Sequence, residues 1–207
     1  MKVLNLYAGI GGNRKLWPGD NEYTAVEIDP KIAKIYKDFY PDDEVIITDA
    51  HEYLLKHFNE FDFIWSSPPC PSHSRLNFLN NAQYGMKKYP DLKLYEEILF
   101  LKYWFKGKYC VENVISYYAP LVKPYEIDNH YFWSNFFIPP YLQTTTRGVI
   151  HNKGNYEYRC KMLNIDISKY TGIDKIRLIN NCVEPKLAEY IWNCAFKGKQ
   201  NKLNEGS

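Results

Sequence analysis

A charge imbalance is nearly missing from this sequence: 26 Lys and Arg stand against 24 Asp and Glu, for a formal net charge of +2. Composition alone therefore gives no argument for a polyanionic partner, and any nucleic-acid face has to be a local cluster. Lys87-Lys88 and the tail residues Lys197, Lys199 and Lys202 are candidates, each reading first as ordinary solvated surface. Paired cysteines are missing too. Cys70, Cys110, Cys160, Cys182 and Cys194 are odd in number and contain no Cys-x-x-Cys, which argues against a disulfide scaffold and a zinc site and fits a reducing compartment. No apolar run approaches the roughly 20 residues of a membrane helix. Lys2-Val3-Leu4-Asn5-Leu6 at the start looks like a strand, not a signal peptide, so a cytoplasmic location is expected.

What is there fits one domain with a substantial core, since 207 residues are too few for two of full size. Residues 1–196 are expected to form a single domain. Residues 197–207 are polar without an apolar period and are expected to be a disordered tail. The aromatic share is 17%, with 19 Tyr. Such rings suit core packing first and base stacking second.

Short apolar runs alternate with helical patterns in the first half, the signature of βαβ units, hence an α/β fold with a mostly parallel twisted sheet and helices on both faces. Val3–Tyr7, Tyr23–Ile28, Glu44–Ile47, Phe61–Trp65 and Tyr109–Val114 read as strands. Pro30–Phe39 and Leu92–Trp104 read as helices, the first opening on a proline suited to a first turn. In the less regular second half, Tyr131–Ile138 and Thr145–Ile150 read as strands, and Pro185–Phe196 reads as a helix with Leu187, Ile191, Trp192 and Ala195 on one face.

The first strand runs into Tyr7-Ala8-Gly9-Ile10-Gly11-Gly12. Three glycines in four positions let the backbone turn sharply and approach a ligand. Glu27 ends the second strand, where a carboxylate in nucleotide-type folds accepts ribose hydroxyls. Asp49 follows the third, in a place to hold an adenine amino group. The loop has Gly-x-Gly-Gly, not the pyrophosphate pattern Gly-x-Gly-x-x-Gly, and S-adenosylmethionine has a ribose and an adenine without a pyrophosphate.

The run Phe61–Trp65 ends in Ser66-Ser67-Pro68-Pro69-Cys70-Pro71-Ser72-His73-Ser74. Prolines on both sides of Cys70 stiffen the turn and present the sulfur at the carboxyl edge of the sheet, where ligands of α/β folds bind. A thiolate is a soft nucleophile able to add to an electron-poor ring carbon. A lone cysteine is ordinarily a small buried hydrophobe, but a proline-flanked strand end is a poor place to fill a core. Farther on, Tyr109-Cys110-Val111 leads to Glu112-Asn113-Val114. An acid ending a buried strand is costly unless paired or functional, and its protonated form can donate to nitrogen 3 of cytosine.

Together these residues resemble the cytosine-5 DNA methyltransferase family. Leu6–Gly12 resembles its cofactor loop, Glu27-Ile28-Asp29 its ribose segment and Asp49 its adenine contact. Pro68-Pro69-Cys70 with Ser74 resembles the Pro-Cys loop, and Glu112-Asn113-Val114 the Glu-Asn-Val motif. Asn181-Cys182-Val183-Glu184-Pro185 resembles the closing segment that returns to the cofactor pocket. The resemblance implies the Rossmann-like S-adenosylmethionine-dependent methyltransferase fold. It implies cofactor contacts from Tyr7, Ala8, Gly9, Gly11, Gly12, Glu27, Ile28, Asp49, Pro69, Asn181 and Cys182. It also implies DNA as partner, with the cytosine flipped out under a mobile segment spanning Pro71–Pro90.

Three departures stand out. Asn5 occupies a place where the family commonly has an acid. Of the supporting Gln-x-Arg-x-Arg motif, Gln143-Thr144-Thr145-Thr146-Arg147 keeps one arginine, while Asn129-His130 occupies the alternative place with none. Arg147 is thus the candidate supporting arginine. Third, fewer than about forty residues separate Val149 from the closing segment, less than an ordinary domain, so a target-recognition domain is lacking. A partner subunit supplying recognition, RNA or a free cytosine nucleotide as substrate, and an inert cofactor- or nucleic-acid-binding regulatory subunit are the alternatives to an active DNA enzyme.

Overall fold

The computed structural model describes residues 1–75, 78–79, 89–140 and 156–197. Seven strands form one sheet: β1 (Lys2–Leu6), β2 (Glu22–Glu27), β3 (Glu44–Ile47), β4 (Phe63–Ser66), β5 (Lys108–Val114), β6 (Tyr125–Ile127) and β7 (His130–Ser134). Their order is β3-β2-β1-β4-β5-β7-β6, and the first five run parallel. Only β7 runs against its neighbours β5 and β6. This is a Rossmann-like α/β fold. The chain leaves β1 toward β2 and β3, then crosses back to place β4 on the other side of β1. That reversal opens a crevice at the carboxyl ends of β1 and β4.

Period-two alternation sends each strand's residues to two faces. Leu4, Leu6, Ile64 and Val111 enter one cluster with Leu54 of α2 (Ala50–His57) and Leu94, Ile98 and Leu101 of α3 (Lys93–Trp104). Val3, Phe63, Trp65 and Cys110 enter the opposite cluster with Trp17 and with Leu187, Ile191 and Trp192 of the last helix, Pro185–Phe196. A third cluster joins Ile10 of the loop after β1 and Ile35 of α1 (Pro30–Phe39) to α4 (Tyr156–Leu163) and α5 (Lys175–Asn180); the last helix is therefore α6.

The expected parallel strands are all present to within two residues at either end, and the helices 30–39 and 185–196 have the predicted bounds. Tyr131–Ile138 is shorter than expected because Asn135 interrupts the ladder. Its side chain accepts from Tyr109 N (3.1 Å) and donates to Gly107 O (2.8 Å), taking the place of the next backbone pair. Helices α2, α4 and α5 and strand β6 were not anticipated. The expected strand Thr145–Ile150, Arg147, Lys87-Lys88 and the tail beyond Lys197 lie outside the described residues, as does most of the segment expected to be mobile.

Candidate active site

The glycine loop leaves β1 through three left-handed positions: Tyr7 (φ 54°), Gly9 (φ 56°) and Gly11 (φ 76°). Each glycine is used differently. A side chain at Gly9 would meet nothing within 4 Å, so this position is open. At Gly11 a Cβ would lie 2.4 Å from the Tyr40 ring and 2.7 Å from that of Tyr36, both of which close over the loop. At Gly12 it would lie 2.0 Å from Cys182 Sγ. The closing segment thus does return to the glycine loop, and burial there pushes the Cys182 thiol up to about 12. Gly11→Ala is expected to lower the unfolding free energy by about 2–5 kcal/mol, since strain and overlap add, and Gly9→Ala by about 1–2 kcal/mol from strain alone. Urea unfolding compares them, and equal losses would contradict this packing.

Glu27, buried at the end of β2, holds the loop from below: Oε2 accepts from Gly9 N and Oε1 from Asp29 N, both at 3.0 Å. Each carboxylate oxygen keeps a second lone pair. Ile28 is 65% exposed. Asp49 caps α2, its Oδ1 accepting from Glu52 N at 2.9 Å, a task additional to the one expected of it. Asn181 is exposed just past α5, with its backbone N–H donating to Arg177 O. Asn5, in the place of the family's acid, is fully buried and exchanges amide hydrogen bonds with Asn13 at 2.7 and 3.3 Å. A neutral, self-complementary pair suits that interior better than a charge.

Ser66, last residue of β4, pairs with Val111 of β5, so the turn bearing Cys70 and the residue Glu112 emerge side by side at the carboxyl edge. Asn113 fastens them, its Nδ2 donating to Pro68 O at 3.0 Å. Cys70 itself is half-buried, and its carbonyl accepts from His73 N (3.0 Å) and Ser74 N (3.1 Å), which closes the turn that the prolines begin. Pro69 is exposed. Burial raises the Cys70 thiol above the ordinary thiol range; the Glu112 carboxylate raises it further, and Arg177 of α5 opposes both. Glu112 is buried between Phe132 of β7 and the Cys70 turn, with His130 Nε2 3.7 Å from its Oε1.

Arg177 and Glu97 of α3 were missed by the sequence reading, which named His130 only as part of the alternative, arginine-free place and not as a neighbour of Glu112. Glu97 alone left a signal, an acid within the otherwise apolar stripe Leu94, Ile98 and Leu101. The cavity of about 560 Å³ that Lys2, Tyr23 and Tyr40 line sits at the opposite, amino edge of the sheet, away from these groups. Among the described residues no helix is long and apolar enough to cross a membrane.

Comparison with known proteins bears on this constellation. Residues 1–87 match the C-5 cytosine-specific DNA methylase family. The matched segment carries the glycine loop, Glu27, Asp49 and Cys70 and stops short of Glu112 and the closing segment. The match bears out the resemblance read from the motifs and supports methyl transfer as the class of chemistry. Among solved structures, a mutant of DNMT2 from Spodoptera frugiperda is 26% identical, with a TM-score of 0.39 over 55% of this chain and 35% of that one. An SAM-dependent methyltransferase from Agrobacterium tumefaciens is 16% identical, with a TM-score of 0.43 over 57% of this chain and 40% of that one. Less than half of either protein is therefore covered. No curated protein matches the chain.

Proposed function

We propose that this chain transfers a methyl group from S-adenosylmethionine to carbon 5 of cytosine in DNA, through a covalent adduct of Cys70. One observation carries the reading: Cys70 and Glu112 share the carboxyl edge of adjacent strands, tied by Asn113, beside the crevice that the glycine loop borders. Residues 1–196 act as one catalytic domain.

The residues present fit the cofactor. Gly9 leaves open space where a side chain would stand, Glu27 retains acceptor capacity for a ribose diol, and Asp49 follows the neighbouring strand. Tyr7, Ala8, Gly11, Gly12, Ile28, Pro69, Asn181 and Cys182 complete the lining. Bound S-adenosylmethionine supplies an electrophilic methyl group on a sulfonium. The protein's own work is on the cytosine. Cys70 thiolate adds to carbon 6, and Glu112 holds a proton at nitrogen 3, so the electron pair released by that addition accumulates at carbon 5. After methylation, loss of the proton on carbon 5 restores the double bond and expels the thiolate. Arg147 or His130 supports Glu112 in this role.

The short stretch between Val149 and Asn181 favours a second reading, the same chemistry on RNA or on free cytosine nucleotide, which needs no groove-reading domain. A partner subunit supplying DNA recognition would restore the first. Labelled methyl transfer to duplex DNA, RNA and deoxycytidine nucleotide, run in parallel, separates these. The expected result is incorporation into DNA, and failure on all three would end both readings.

A further inference from the structure

Glu97 is fully buried in α3, where the neighbouring positions of the helix hold Leu94, Ile98 and Leu101. A leucine or methionine there would fill the same space. A buried carboxylate persists only when its oxygens are satisfied, and here they are satisfied by three different segments of the site. Tyr7 Oη donates to Oε1 at 2.5 Å, and His51 places Nδ1 3.1 Å from the same oxygen. Ser66 Oγ donates to Oε2 at 2.7 Å. Tyr7 opens the glycine loop, Ser66 ends the strand that leads to Cys70, and His51 lies in the first turn of the helix that Asp49 caps. The Tyr7 backbone is left-handed, a conformation that a bulky side chain holds only when its surroundings fix it. Its ring packs against the core and its hydroxyl is anchored on Glu97.

We propose that Glu97 is the positioning residue of this site: its carboxylate locks the entry to the glycine loop, the strand end before Cys70 and the Asp49 helix into one register. Cofactor loop and nucleophile are thereby set relative to each other by a group that touches neither cofactor nor substrate. This inference rests on the methyl-transfer reading above. It differs from simple core filling in a testable way, because only a shared anchor makes its partners non-additive.

The test measures S-adenosylhomocysteine affinity by calorimetry, together with thermal unfolding, for wild type, Glu97→Gln, Tyr7→Phe, the double variant and Glu96→Gln. Each of Glu97→Gln and Tyr7→Phe is expected to weaken binding about tenfold, the loss of a hydrogen bond to a charged group, with cooperative unfolding retained. The double variant is expected to be no weaker than either single one. Glu96→Gln removes an exposed charge from the same helix, one 3.5 Å from His51 Nε2, and is expected to bind within about twofold of wild type, because an exposed ion pair contributes little. Unchanged affinity in Glu97→Gln overturns the proposal, as does multiplication to about a hundredfold in the double variant. Should Glu97→Gln fail to fold, Tyr7→Phe decides: wild-type affinity there overturns it. If wild type binds no S-adenosylhomocysteine, the cofactor reading fails first and this inference falls with it.

Discussion

Cys70→Ser is expected to abolish methyl transfer, by at least about a thousandfold, while S-adenosylmethionine binds as before. The magnitude follows from the chemistry: a nucleophile lost from a unit that acts together costs several orders of magnitude, and a serine hydroxyl is not ionised near neutrality. The selectivity follows from the structure. Cys70 sits on the β4 turn, held by Asn113 and by its own carbonyl hydrogen bonds, whereas the glycine loop is held by Glu27, Tyr40 and Cys182. Glu97 joins the two frames through Tyr7 and Ser66, but none of these contacts is made by the Cys70 sulfur, so exchanging sulfur for oxygen leaves the loop intact. Labelled methyl transfer and calorimetric cofactor binding, measured on one preparation, check this. Equal loss of both would mean that Cys70 shapes the cofactor site and is not the nucleophile.

The second large effect has opposite signs in two measurements on one variant. Glu112→Gln is expected to lower turnover by about 10²–10⁴, the contribution of a positioned general acid. The same substitution is expected to make the Cys70 thiolate easier to form. Burial is the first cause of the raised thiol and the Glu112 charge the second, so a neutral amide removes one of the two and lets Cys70 ionise at lower pH. In the apo protein the rate of Cys70 alkylation by iodoacetamide rises as pH climbs through the thiol's titration, because only the thiolate reacts. That curve moves to lower pH in Glu112→Gln while methyl transfer falls. A variant that was merely unfolded would expose every thiol and lose cooperative unfolding. An alkylation curve that stays in place would show that acid and sulfur are not coupled.

The sequence made the parallel core legible because its strands are short, mainly apolar runs, as buried parallel strands tend to be. It concealed α2, whose eight residues are too short for a clear period and whose capping residue, Asp49, drew attention as a ligand. Helix α5 has six residues and β6 three, below the length at which periodicity is informative. At the site, contiguous motifs were readable: the glycine loop, the proline-flanked cysteine and Glu-Asn-Val each state their local geometry in a few residues. Partners brought together by the fold were not. Tyr7 and Glu97 are 90 residues apart, and nothing near either one names the other. His130 reaches Glu112 only through the antiparallel pairing of β5 and β7, which the mainly parallel pattern of the first half did not announce. Asn135, which ends β7 early, looks in sequence like any polar residue in an aromatic run.

The central claim is a bond between one sulfur and carbon 6 of a cytosine. Incubation with S-adenosylmethionine and DNA carrying 5-fluorocytosine tests it, because fluorine at carbon 5 cannot leave as a proton does and the thiolate cannot be expelled. Mass spectrometry is then expected to find protein and oligonucleotide joined, with the cross-link on the peptide that contains Cys70. Attachment at another cysteine, or a wild-type protein that binds cofactor and DNA yet forms no adduct, would contradict it.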